Sequence, residues 1–183
     1  MTLEPTGFVG TLAAAEIGST FNFYRDGVGA KTRRQRLVRY LERSAEAGIL
    51  LVGEAAGYRG ARVSGIPFTS ERQLTGSPPG EATATVVHRV LAELGIGADV
   101  LLWNLVPTHP HRRGDPRSNR PPTRGEMEAA SPFLAELARG RVVIPVGRLA
   151  GSRLGGSYVR HPAHGGAAAF RAGLLDSLRD AGA

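Results

Sequence analysis

Residues 49–60 read ILLVGEAAGYRG: four aliphatics, Ile49 to Val52, run straight into a loop of small residues. An apolar run without polar alternation suits a strand buried on both faces of a parallel sheet. The glycines and alanines behind it end the strand in a loop that either turns or binds. Three more runs repeat the pattern, at Val100–Leu105, Val142–Val146 and, more weakly, Tyr158–Val159.

Helical spacing fills the gaps. Thr32–Ala47 carries Leu37, Leu41 and Ala45 every fourth residue, and Val86, Val90, Leu91 and Leu94 mark a second helix that Gly95 can end. A third opens at Thr123 with TRGE, a capping box in which Glu126 reaches back to the cap amide, and Phe133, Leu134 and Leu137 follow. The last holds Phe170, Leu174 and Leu178. Alternating strands and helices predict an α/β fold, a doubly wound sheet with helices on both faces. The expected architecture is one domain over residues 1–183: a three-layer α/β/α sandwich around a four-stranded, mostly parallel twisted sheet. Residues 1–30 read as a loosely patterned lead-in.

Composition narrows the function. The 183 residues include no cysteine, which excludes disulfides, thiolate nucleophiles, zinc-thiolate sites and iron-sulfur clusters. No apolar run nears the roughly 20 residues of a membrane span, and MTLEPTGFVG lacks the basic start and apolar centre of a signal peptide. A bacterial cytoplasmic protein is expected. Basic residues outnumber acidic ones 23 to 16, for a net charge of +7, and Lys31 is the only lysine. Arginine forks onto phosphate oxygens, so a polyanion such as nucleic acid is one partner class; a GC-rich genome and a solvated surface account for the same charge.

Parallel sheets bind ligands at the carboxyl ends of their strands. Each run here is followed there by an unusual loop: GEAAGYRG, then the long segment Pro107–Pro122, then GRLAGSR, then RHPAHGG. Taken in order, these loops resemble the uracil-DNA glycosylase superfamily from about Ile49 to the C-terminus. GEAAG stands where that family has its first motif, GIPFTSE where it carries a phenylalanine, LLWNLVP where it carries a strand-end asparagine, and HPAHGG where its second motif begins. The nearest class is the thermophile-type iron-sulfur uracil glycosylases, whose four cluster cysteines are absent, so no cofactor is expected and prolines and packing must order the Pro107–Pro122 loop.

The resemblance implies excision of a flipped-out uracil from single- or double-stranded DNA by a monomeric hydrolase. Phe68 would stack on the base, a contact worth about 1–3 kcal/mol; as a residue type it is equally a core phenylalanine. Asn104 would accept from uracil N3 and donate to O4, a pattern that cytosine reverses; otherwise it ties down its own loop. His161 would stabilise the charge that collects on uracil O2 as the glycosidic bond breaks. Backbone amides of Gly53 and Ala55 would add an anion nest, for which small residues are needed.

Water activation is open, because the family's usual acidic or amide residue falls at Ala55. Glu54 is the neighbouring carboxylate and His109 the alternative base. The spacing of His109 and His111 has no acidic or cysteine ligand beside it, so no metal is expected. A tyrosine that excludes thymine falls at Gly57 in this register; either Tyr58 fills that space or the pocket admits larger bases. The family's apolar wedge falls at His164, Gly165 and Gly166, which suit phosphate contact instead. Arg148, Arg153 and Arg160 are the expected DNA-backbone contacts. Two rivals stand beside uracil excision: a silent uracil or abasic-site reader, which Ala55 permits, and a glycosylase for another lesion such as hypoxanthine, which Gly57 permits. No lyase step is expected, since Lys31 is far from every loop.

Overall fold

The computed structural model describes residues 3–182. Its elements are α1 (Pro5–Ala14), α2 (Ala30–Arg43), β1 (Ile49–Ala55), α3 (Ala61–Ser64), α4 (Glu71–Thr75), α5 (Ala82–Glu93), β2 (Val100–Val106), α6 (Arg124–Ala138), β3 (Val142–Pro145), α7 (Arg148–Leu154) and α8 (Ala167–Asp180). The sheet is parallel with order β2-β1-β3, and β1 pairs Gly53 with Asn104 and Val52 with Pro145.

Helices cover both faces, because the strands bury both. Leu50, Val52, Leu101, Trp103 and Leu105 pack against Phe8 and Leu12 of α1, Leu37 and Leu41 of α2, and Phe133, Leu134 and Leu137 of α6. Ile49, Leu51, Val100, Leu102 and Ile144 face the opposite way, onto Val87, Val90 and Leu91 of α5 and Phe170, Leu174 and Leu178 of α8. The capping box at the start of α6 is formed in both directions. No helix among the described residues is long and apolar enough to cross a membrane.

Two expectations are corrected. The sheet has three strands among the described residues, not four: Tyr158–Val159 contributes one parallel bridge, Val146 with Val159, made by Val159 N–H to Pro145 O and Gly147 N–H to Val159 O, both 2.8 Å. Gly155 and Gly156, at φ +79° and +81°, precede it, and Pro162 follows, so the extended segment is too short to build a ladder. The second correction concerns the lead-in, whose first two residues lie outside the described ones. From Pro5 it is core structure: Glu4 caps α1 through the amides of Thr6 and Gly7, and Phe8, Val9, Leu12, Phe23 and Tyr24 are buried. Asn22, 2% exposed, donates to the carbonyls of Leu12, Ala13 and Ala15 and so closes the far end of α1.

Candidate active site

The pleat that sends Val100 and Leu102 into the second core sends Asn104 the same way, two residues further along β2. There the helices no longer cover the sheet, and the core layer continues as a cavity of about 620 Å3. Glu54, Ala55 and Gly57 line it from the end of β1, Phe68 from the loop after α3, Arg148 from α7, and His161 and His164 from the loop before α8.

Asn104 is 3% exposed and its side-chain amide has no protein hydrogen bond among the described residues. The amide opens onto the cavity, where a polar ligand is its natural partner. Phe68 lies beside it. Gly53 makes that approach possible, since a Cβ there would stand 2.8 Å from Asn104 Oδ1 and 2.8 Å from Phe68 Cε2.

Phe68 holds φ +52° and His164 φ +51°, and these are the two non-glycine residues with positive φ among those described. Each such conformation costs on the order of 1–3 kcal/mol and persists where its surroundings enforce it. Around Phe68 the enforcement is visible: Ser64 Oγ donates to Thr69 O (2.6 Å), Thr69 Oγ1 meets His88 Nε2 (2.9 Å), and the Tyr24 hydroxyl donates to Gly65 O (3.0 Å). Both strained residues line the one cavity.

The imidazole of His161 has a defined tautomer. Its Nδ1 accepts the Ala163 N–H at 3.2 Å, so the proton of the neutral ring sits on Nε2. Burial first, then the nearby His164 and Arg160, hold its pKa below the usual histidine range, and the ring is a neutral donor at neutral pH. Glu54 has the opposite shift: burial raises its carboxyl above the ordinary range. Gly166 is the N-cap of α8, and a Cβ there would meet the carbonyl oxygens of His161 and Ala163, so glycine is required for the chain to turn into the helix. Gly165 supplies the left-handed residue before it, at φ +75°.

Other expected site residues lie elsewhere. His109 is fully buried beneath the first-motif loop, with Nδ1 2.9 Å from Ala56 O and no cavity-lining atom; it supports that loop and is no candidate base. Tyr58 turns away into a neighbouring cleft, its ring 4.8 Å below the Arg62 guanidinium. Arg153 lies 3.8 Å from Glu128 on α6, in a groove away from the cavity. Arg160 is exposed beside Gly166. Glu81, Asn119 and Arg120 also line the cavity, without a sequence signal that marks them as site residues.

Asn119 and Arg120 explain how the long loop is ordered. Asn119 Oδ1 accepts the Tyr58 N–H at 2.9 Å, which ties the long loop to the first motif. Arg120 makes a two-pronged contact with Glu126, at 2.8 and 2.6 Å, and also donates to His111 O and Ser19 Oγ. Burial opposes ionisation of Glu126, but the Arg120 fork and the Thr123 amide outweigh it and hold the carboxyl at about 2. A carboxyl depressed in the folded state stabilises fully above its unfolded pKa, and that stability is lost as pH falls through the folded value. Thermal melting should therefore show stability falling between about pH 4.5 and pH 2, by up to on the order of 3 kcal/mol. Glu126→Gln should flatten that fall; a mutant as acid-sensitive as the wild type would remove Glu126 as its cause.

A family model described as the uracil DNA glycosylase superfamily matches residues 42–175. No curated protein sequence matches the chain. Among solved structures, the crystal structure of wild-type SMUG2 from Pedobacter heparinus is similar in fold, with a TM-score of 0.58 at 14% identity over 84% of this chain and 79% of that one. With more than half of its length matched by the family model, the chain belongs to the uracil DNA glycosylase superfamily.

Proposed function

We propose that the protein hydrolyses the N-glycosidic bond of uracil in DNA and leaves an abasic site. The observation that carries this reading is Asn104, a largely buried amide without a protein partner, on a strand end beside an aromatic ring and lining the same cavity as a neutral imidazole donor. The enzymes of this superfamily act on DNA, and the excess of arginine supplies phosphate contacts.

In the proposed reaction the deoxyuridine leaves the helix stack at a cost of a few kcal/mol and its base enters the cavity. Phe68 stacks on the ring while the Asn104 amide pairs with N3–H and O4. As the bond from C1′ to N1 lengthens, its electron pair moves into the base and charge gathers on O2, where the His161 Nε2–H donates. Water attacks C1′ and its proton passes to Glu54, whose carboxylate also favours the cationic sugar. Burial of Glu54 brings its pKa closer to working pH, which suits a base. Arg148 at the cavity edge, with Arg160, Gly165 and Gly166 near the start of α8, would bind the strand. His164, exposed and strained at the cavity mouth, would occupy space beside the extruded nucleotide.

Ala55 favours one rival, a reader that binds uracil or abasic sites without cutting. Single-turnover cleavage of oligonucleotides carrying uracil, hypoxanthine or a G:T mismatch separates the readings. The wild type should cut at uracil, Glu54→Gln should lose most of that rate, and Asn104→Ala should lose about 10- to 100-fold or more, consistent with about 1–3 kcal/mol for a bidentate base contact. Binding without cutting at any base would establish the silent reader; a preference for hypoxanthine would move the substrate to a purine.

A further inference from the structure

Glu81 is the N-cap residue of α5, yet its side chain makes no capping hydrogen bond. It reaches across to the first-motif loop instead. A Cβ on Gly57 would lie 2.6 Å from Glu81 Oε1, and one on Gly60 would lie 3.1 Å from the same atom and in contact with Oε2. The carboxyl therefore fills space that two side-chain-free residues leave open. Among the described residues it forms no ion pair and no side-chain hydrogen bond.

On one side of this carboxyl is the base cavity; on the other is a polar cleft of about 460 Å3 lined by Tyr58, Arg59 and Arg117. Glu81 and Asn119 line both. Asn119 is fixed by its bond to the Tyr58 amide, which leaves the Glu81 side chain as the removable part of the partition. We propose that Glu81 is a specificity-determining residue, the wall that limits the cavity to a small single-ring base and excludes bases enlarged at the ring edge or by a second ring. The inference rests on the base-excision reading above. It gives Glu81 no part in moving protons: packing against two glycines needs the volume of a carboxyl, and the amide of glutamine supplies the same volume. Burial raises the pKa of Glu81 above the ordinary carboxylate range.

The test is the ratio of single-turnover rates on uracil to those on thymine, 5-bromouracil and hypoxanthine in otherwise identical single strands. In Glu81→Ala the rates on the larger bases should rise above those of the wild type, and the ratio should fall about 10- to 200-fold, the discrimination that a filled methyl-sized space supplies. Glu81→Gln should keep the wild-type ratio, and Glu81→Asp should lie between. A gain on larger bases cannot come from misfolding. An unchanged ratio in Glu81→Ala overturns the proposal, as does a ratio that collapses equally in Glu81→Gln. Loss of all cutting by Glu81→Ala with an undisturbed melting curve would also overturn it, in favour of a direct chemical role. Should Glu81→Ala fail to fold, the Asp and Gln variants decide in the same way. A wild type that cuts no uracil overturns the excision reading separately; the wall is then read in the relative binding of uracil- and thymine-containing strands, where equal ratios in wild type and Glu81→Ala would remove it.

Discussion

His161→Ala is expected to slow excision of uracil about 100- to 1000-fold, the loss typical of one preorganised donor to a developing oxyanion. Strand binding should change little, because the contact strengthens only as the bond breaks. The argument turns on the tautomer. With Nδ1 occupied by the Ala163 N–H, the Nε2–H is the available donor, and it is held in a half-buried site where a dipole acts more strongly than in water. Burial, His164 and Arg160 hold the pKa below the usual histidine range, so the ring is neutral at neutral pH. Protonation would place a second N–H at Nδ1 against the Ala163 amide, two donors facing each other. The wild-type rate should therefore hold across neutral pH and fall in acid as two groups, His161 and the base Glu54, take up protons; His161→Ala should leave a shallower fall that Glu54 alone causes. A mutant that cuts within a few-fold of the wild type, or whose acid limb is as steep as the wild type's, would remove His161 from this role.

The residues of this cavity differ in how far sequence reveals them. Asn104 was legible because it interrupts VLLWNLV, where every neighbour is apolar and a polar side chain needs a reason. Phe68 was legible from its setting among Gly65, Pro67, Thr69 and Ser70, although its positive φ was not, since that depends on Ser64, His88 and Tyr24 closing around the loop. His109 misled for the converse reason: two histidines beside prolines resemble a site, and only the fold reveals that the ring lies under Ala56. Glu81 carries no local signal. Its position follows from vacancies at Gly57 and Gly60, more than twenty residues away in sequence, and such matches between a side chain and a missing one leave no periodicity to read. The lead-in is hard to recognise as a helix because Gly7 and Gly10 dilute the pattern of α1, and Glu4-Pro5 is its one start signal. The weak fourth run, flanked by Gly155, Gly156 and Pro162, carried its own warning that a ladder would not extend.

Gly53→Ala should abolish most excision with one methyl group and no change of charge. Its backbone lies outside the left-handed region, so alanine is allowed there and the effect isolates the space beside it. That space is occupied on two sides: Asn104 is fixed by its pairing with residue 53 across the sheet, and Phe68 is held at φ +52° by a loop already bonded from three directions. Neither neighbour can yield without moving the amide or the ring that would read and stack the base. Overpacking of this kind costs about 1–3 kcal/mol, a fall in Tm of about 2–4 °C for each kcal/mol in a chain of this size. Gly125→Ala is the control, because its Cβ would meet nothing within 4 Å in the first turn of α6; it should be neutral or slightly stabilising. Adding Phe68→Leu to Gly53→Ala should recover part of the lost Tm by vacating the ring's space, yet recover none of the activity, since the stacking face is gone. If the double mutant regains excision along with stability, the Phe68 ring is only packing and the base must be held elsewhere. If Gly53→Ala itself cuts at the wild-type rate, Asn104 and Phe68 do not form the platform on which the uracil reading stands.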